Sequence, residues 1–203
     1  SVDINADLQS SMLANGLKPF RESLLEYLHE EITPGRNRYG LLVFYLLLNE
    51  LREIIGSTRE EASDSKDQVE LIGRAIRLSN TEIDYLVRLQ NAADMPDPGD
   101  DLLLHAVRSF RIMGDALPAG ILHNLVRVLH NESPFDQDGW LKNIQLAQHH
   151  LDLFFNDRQQ LQPPQLINGQ EIMELLDMRP GPEVGHLVLL LEEAQVLGLV
   201  GTR

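Results

Sequence analysis

Apolar residues recur at three- and four-residue spacing along nearly the whole chain, and where that rhythm stops a proline, a glycine or a capping residue stands. Such a pattern commits a chain to helices that bury one stripe each. Leu24, Leu25 and Leu28 follow Pro19, a residue suited to a first helical turn because its missing N–H has no partner there, so a helix is expected over about 19–31. Gly35 separates it from a second helix near 36–55, whose centre, Leu41 to Leu48, is apolar on every side and is expected to be buried all round. The segment Gly56 to Lys66, serines and a threonine among acids, reads as a loop. Two capping boxes, Ser79 with Glu82 and Asn168 with Glu171, open helices that should run to about 92 and 177. The stretch Met95-Pro96-Asp97-Pro98-Gly99 cannot continue a helix, and helices near 100–113, 115–131 and 138–161 come after it. Pro163-Pro164 ends the last of these, and Gly181-Pro182 introduces a final helix over about 182–197. No strand alternation and no repeat of fixed period interrupts the series. The expected class is all-α, about nine or ten helices: a helical body over 1–161, divided into 19–92 and a bundle over 100–161, and a small helical tail over 162–203.

Charge limits what such a helical chain can hold. With 31 acidic and 17 basic residues the formal charge is −14, and it divides evenly, about −7 in residues 1–98 and −7 in 99–203. Neither half is a basic domain, which argues against a free-standing nucleic-acid binder. The absence of cysteine excludes disulfides, thiolate zinc sites and a cysteine nucleophile. The longest apolar run, Leu41 to Leu48, is far short of the roughly 20 residues that cross a bilayer, and no signal-peptide pattern opens the chain. A soluble, cytoplasmic chain without a membrane partner is expected. Because Ser1 stands where a Met would, and Ser1 to Leu8 already reads as helical, the chain is expected to be a piece of something longer.

Few residues suggest chemistry. His149 and His150 are adjacent, neither has an i+4 His or Glu partner, and they read as surface or half-buried helix residues; His123 and His130 are seven apart, too far for one metal without ligands between. Asp136-Gln137-Asp138 has the spacing of a magnesium-binding carboxylate pair, but at a helix start one of them serves as an N-cap. No phosphate-cradling glycine loop and no Ser/His/Asp arrangement occurs. One segment does invite a ligand. Around Met178-Arg179-Pro180-Gly181-Pro182-Glu183-Val184-Gly185-His186, a tight turn delivers a helix start with free N–H groups and little side-chain bulk, which can hold a phosphate; Glu183, an acid in that first turn, suits the helix dipole and repels a phosphate equally.

The run LINGQEIMELLDMRPGPEVGHLVLLLEEAQVLGLVGTR resembles the C-terminal tail of the bacterial tRNA nucleotidyltransferase and poly(A) polymerase family, with its Asn-Gly helix start, its Pro-Gly-Pro-x-Val-Gly turn and its closing Gly-x-Val-x-Thr-Arg pattern. Upstream, Arg77-Leu78-Ser79-Asn80-Thr81-Glu82 resembles the family's Arg-Leu-Ser-Asn-x-Glu helix start. The resemblance implies that catalysis, magnesium and nucleotide belong to a head that this chain does not contain, so that no cofactor is expected in it. It also implies that 19–92 corresponds to an HD-type helix set. There the sequence departs: where HD members carry His-Asp, it reads Leu48-Asn49-Glu50-Leu51, and no histidine lies between His29 and His105. Asn49 is a far weaker metal ligand than imidazole, so a degenerate segment without phosphohydrolase activity is expected.

Two readings follow from the resemblance. In the first, the chain is a non-catalytic helical region that binds tRNA or other RNA, weakly when alone. Its phosphate contacts would be Arg179, the turn at Gly181, Val184 and Gly185, His186, and Arg74 with Arg77, which at i and i+3 would share a helix face; Arg36, Arg38, Arg108 and Arg111 are further backbone contacts. For each arginine an ion pair with a neighbouring acid is the competing account, since acids outnumber bases nearly two to one. In the second reading, the chain is a diverged interaction or regulatory module that has lost metal and RNA binding and takes a protein partner or a second copy of itself.

Overall fold

The computed structural model describes residues 11–56, 65–94, 101–131 and 136–201. The segments Ser1 to Leu8 and Met95 to Gly99, and most of the loop between Gly56 and Lys66, lie outside the described residues. Ten α-helices follow in order among the described residues: α1 (Arg21–His29), α2 (Arg38–Gly56), α3 (Ser65–Ala75), α4 (Asn80–Gln90), α5 (Leu102–Met113), α6 (Leu117–Asn131), α7 (Gln137–Asn156), α8 (Arg158–Leu161), α9 (Gly169–Leu176) and α10 (Pro182–Val196). The class is all-α. Two short strands, β1 (Glu31–Thr33) and β2 (Arg36–Asn37), form an antiparallel hairpin around Gly35, which has φ 78°. Sequence patterning missed this hairpin because its strands are too short to show alternation.

Helix starts coincide with the capping residues. Ser79 Oγ accepts from the Glu82 N–H at 3.2 Å, and the Glu82 carboxylate accepts from the Ser79 N–H at 2.6 Å. Asp136 caps α7, its carboxylate accepting from the Asp138 N–H at 3.1 Å, so the Asp-Gln-Asp pair is helix chemistry. The expected long helix over 138–161 is broken at Asp157, whose φ of −144° and ψ of 54° leave the helical region, and α8 is a separate short helix.

The core joins Leu41, Leu42 and Tyr45 of α2, Leu86 and Leu89 of α4, and Phe110 and Met113 of α5 to Leu117, Ile121 and Leu125 of α6 and Trp140, Leu151 and Phe154 of α7. Inside it the Tyr27 hydroxyl donates to the Asp115 carbonyl at 2.7 Å and lies 3.0 Å from the Tyr85 hydroxyl. The apolar centre of α2 is not buried all round: Val43 is 36% and Leu47 58% exposed, because neighbours cover one side of the helix only. No described helix is long and apolar enough to cross a membrane.

Candidate functional site

The tail is two helices held by a reversal of the chain. Asn168 starts α9 through the second capping box, its side chain accepting from the Glu171 N–H at 3.0 Å while Glu171 accepts from the Asn168 N–H at 2.7 Å. Asp177, at φ 51°, ends it, and the Met178 N–H reaches back to the Met173 carbonyl at 3.0 Å. Arg179 to Gly181 then turn the chain into Pro182, the first residue of α10. The two helices meet on Ile172 and Val184, the buried side chains of this pair, and a methyl group on Gly169 would come 3.3 Å from Val184 Cγ1.

These contacts give the candidate phosphate residues different environments. Arg179, Gly185 and His186 are exposed, Gly181 is half-buried, and the Val184 side chain is buried. The Val184 N–H already donates to the Gly181 carbonyl at 3.2 Å. Glu183 folds back over the helix start, so that a Cβ on Gly181 would lie 2.7 Å from Glu183 Oε2, which sets a carboxylate near the positive end of α10. Around Gly185 there is open space: a Cβ there would meet nothing within 4 Å.

Arg74 and Arg77 stand at the end of α3. The helix stops at Ala75, and Arg77 occupies the left-handed region with φ 61°, so the two side chains do not share a helical face as their spacing suggested. Arg74 pairs with Glu70 at 3.6 Å. Of the other arginines, Arg36 pairs with Glu82 at 3.2 Å and Arg38 with Glu30. Arg108 and Arg111, one helical turn apart on α5, hold the tail. Arg108 makes a two-pronged contact to Glu193, Nε to Oε1 at 3.0 Å and Nη2 to Oε2 at 2.6 Å, and Arg111 reaches Glu193 at 3.2 Å and Glu192 at 3.0 Å. Hydrogen bonds from Arg108 outweigh partial burial and hold the Glu193 carboxyl below its ordinary range, while the same bonds raise Arg108. Sequence reading could not find these partners, since more than eighty residues separate them.

The histidines form a different feature from the expected one. His150 is fully buried and His105 is 3% exposed, with His105 Nδ1 2.9 Å from His150 Nε2. His149 is half-buried, and half-buried His123 lies edge-on to Tyr45 at 5.3 Å. Burial, with Arg127 nearby, pushes the His123 imidazole below its ordinary pKa. Of the His130 side chain nothing is described. Among the described residues no three His, Asp or Glu side chains are grouped to hold a metal ion.

Comparison with known proteins returns one relation. Over 46 residues the chain is 48% identical to the A-adding tRNA nucleotidyltransferase of Deinococcus radiodurans, a match that covers 23% of this chain and 11% of that enzyme's length. It supports a relation to the tRNA nucleotidyltransferase family. No family model matches the chain, and no solved structure does.

Proposed function

We propose that this chain is a non-catalytic helical region that holds tRNA or a similar RNA for a nucleotidyl-transferring head located elsewhere. The observation that carries the reading is the 48% identity over 46 residues to an A-adding tRNA nucleotidyltransferase. Magnesium and nucleotide belong to the head in this account, and the segment 19–92 serves as scaffold derived from an HD-type helix set. RNA phosphates meet exposed Arg179 and His186, and the strand approaches closely over Gly185, where no side chain stands in the way. Arg74 and Arg77 supply a second, more distant contact. Glu183 opposes the first contact, because its carboxylate lies where a phosphate would meet the helix start.

The test is a tRNA titration by fluorescence anisotropy across a range of salt. Binding should weaken steeply as salt rises, Glu183→Gln should tighten it by about fivefold through loss of one repelling charge, and Arg179→Ala should weaken it by a similar factor. An affinity that ignores salt and both substitutions would remove the reading.

One observation favours the interaction module as a second reading. Leu175 and Leu199 in the tail are 72% and 74% exposed, and Leu176, Leu190 and Leu197 are exposed with them. Exposed apolar surface of this kind marks protein contacts. Sedimentation with and without tRNA separates the two, since a self-associating module would form dimers independent of RNA.

A further inference from the structure

The arginines of this acidic chain are not evenly spread. Arg38, Arg88, Arg111 and Arg158, from α2, α4, α5 and α8, line one cleft of about 710 Å³ roofed by Leu189 and Glu192 of α10. That volume lies in the range of small-molecule sites, roughly 300–1,000 Å³. Four carboxylates line it as well, Glu31, Asp84, Asp115 and Glu192, so the cleft is formally neutral in a molecule of charge −14. We propose that this cleft binds a phosphoryl group, carried by a free nucleotide or by an RNA strand, through Arg88, Arg111 and Arg158.

The first argument is a count of donors. Arg88 uses Nε alone, donating to Asp84 at 2.7 Å, and its two terminal amino groups have no acceptor among the described residues. Arg158 gives one amino group to Asp115. Arg111 donates once from each terminal amino group, to Glu193 at 3.2 Å and to Glu192 at 3.0 Å, and each of those groups carries a second N–H. The second argument is preorganisation. The Arg158 guanidinium lies over the rings of Phe154 and Phe110, at 4.7 and 5.3 Å, which fixes its plane before any ligand arrives. Gly114, at φ 54°, admits Arg88: a Cβ there would stand 2.6 Å from Arg88 Nη1, so a larger residue would drive the guanidinium away.

The third argument separates phosphoryl from carboxylate. Arg88, Arg111 and Arg158 line the cleft from three different helices, α4, α5 and α8, and a tetrahedral group with three or more oxygens offers acceptors in as many directions. A planar carboxylate presents two oxygens in one direction and suits a single two-pronged arginine. The three contributing helices also explain why no sequence motif announces the site. It does not depend on the RNA reading, because the cleft arginines and the tail contacts are different residues and can fail separately.

The experiment uses the whole chain at low salt. Arginine Nε–Hε resonances are followed by NMR during titration with inorganic pyrophosphate, AMP, a 5′-phosphorylated tetraribonucleotide and acetate, with calorimetry for affinities. Pyrophosphate is expected to shift the Arg88, Arg111 and Arg158 resonances. The double variant Arg88→Gln, Arg158→Gln should weaken it by about tenfold or more, the loss expected for charge-assisted contacts. Arg21→Gln on α1, outside the cleft, should leave it unchanged. Both replaced side chains are more than two-fifths exposed, and thermal melts by circular dichroism check that the variant is folded. AMP binding more tightly than the tetranucleotide identifies a nucleotide site, and the reverse order identifies an RNA strand. The proposal is overturned if pyrophosphate moves none of these resonances in the unmodified chain, if the double variant binds as well as it does, or if acetate binds equally.

Discussion

At the scale of single residues, the buried contact between His150 and His105 ties stability to pH. The His150 Nδ1–H donates to the Leu146 carbonyl at 2.7 Å, which leaves Nε2 as an acceptor for the His105 Nδ1–H at 2.9 Å. A proton added to Nε2 would turn that acceptor into a donor facing a donor. Burial first, and then the neighbouring His105 and His149, lower the His150 pKa to about 4 against the pull of the Leu146 bond. In the unfolded chain it lies at 6.5. Between these values the unfolded chain takes up a proton that the folded one refuses, so stability is complete above pH 6.5 and falls as pH drops toward 4. The slope is about 1.4 kcal/mol per pH unit and the whole loss about 3 kcal/mol, a sizeable share of the 5–15 kcal/mol typical of domains. Urea unfolding at neutral pH and near pH 4.5 measures it, and His150→Gln should flatten most of the slope, with half-buried His123 and, at the acid end, the lowered carboxyls of Glu82 and Glu193 adding to what remains. A stability unchanged between those two pH values would contradict the buried pair. None of this is visible along the chain, because the partner that makes His150 a core residue lies 45 positions away.

At the scale of elements, helix starts are legible and several helix ends are not. Ser79 and Asn168 announce α4 and α9 because a cap needs only residues within one turn, and both boxes form as the spacing predicts. The same Glu82 carboxylate accepts from Thr33 at 2.7 Å and from Arg36, which ties the start of α4 to the β1–β2 hairpin; burial raises its pKa, but these bonds and the Ser79 N–H bring it below the ordinary value. Three helices end in one backbone motif. Leu78 N–H to Gly73 carbonyl, Met178 to Met173 and Leu199 to Ala194 span five residues each, over Arg77, Asp177 and Gly198 at positive φ. Only Gly198 carries the glycine that normally marks such a stop. Arg77 is the costly case, since a side chain with Cβ pays about 1 kcal/mol or more in the left-handed region. Arg77→Gly is therefore expected to stabilise the chain by about 0.5–1 kcal/mol and raise the melting temperature by about 2–3 °C. Calorimetry on the two proteins decides it, and a fall in melting temperature would mean that the arginine side chain contributes more than its backbone costs. The apolar centre of α2 misleads for another reason: composition gives hydrophobicity, but which neighbours arrive, and on how many sides, is a property of the tertiary fold.

At the scale of the molecule, charge decides how the tail sits on the body. The chain carries −14, and α10 itself presents Glu183, Glu192 and Glu193, yet it packs along α5. It can do so because Arg108 and Arg111 face Glu192 and Glu193 there, the first in a two-pronged pair. Ile172 and Val184 are the buried apolar side chains of α9 and α10, and Leu187, Val188, Leu191 and Val196 are only half-buried, so the ion pairs act beside partial apolar burial at this junction. Ion pairs this exposed weaken with salt, whereas core contacts do not. Raising salt to about 1 M, where the Debye length is about 3 Å, should therefore speed hydrogen exchange in α10 while the amides of α7 stay protected. Glu193→Gln should do the same at low salt, by about tenfold, because it removes the negative charge shared by both arginines and one of the two oxygens in the two-pronged Arg108 contact, while Arg111 keeps Glu192. The capping box of α9 and its contact with Val184 are untouched by that change, so α9 and α10 should open together as a pair. Exchange in α10 that responds to neither salt nor Glu193→Gln would mean that Leu189 and its neighbours, and not the four charges, hold the tail in place.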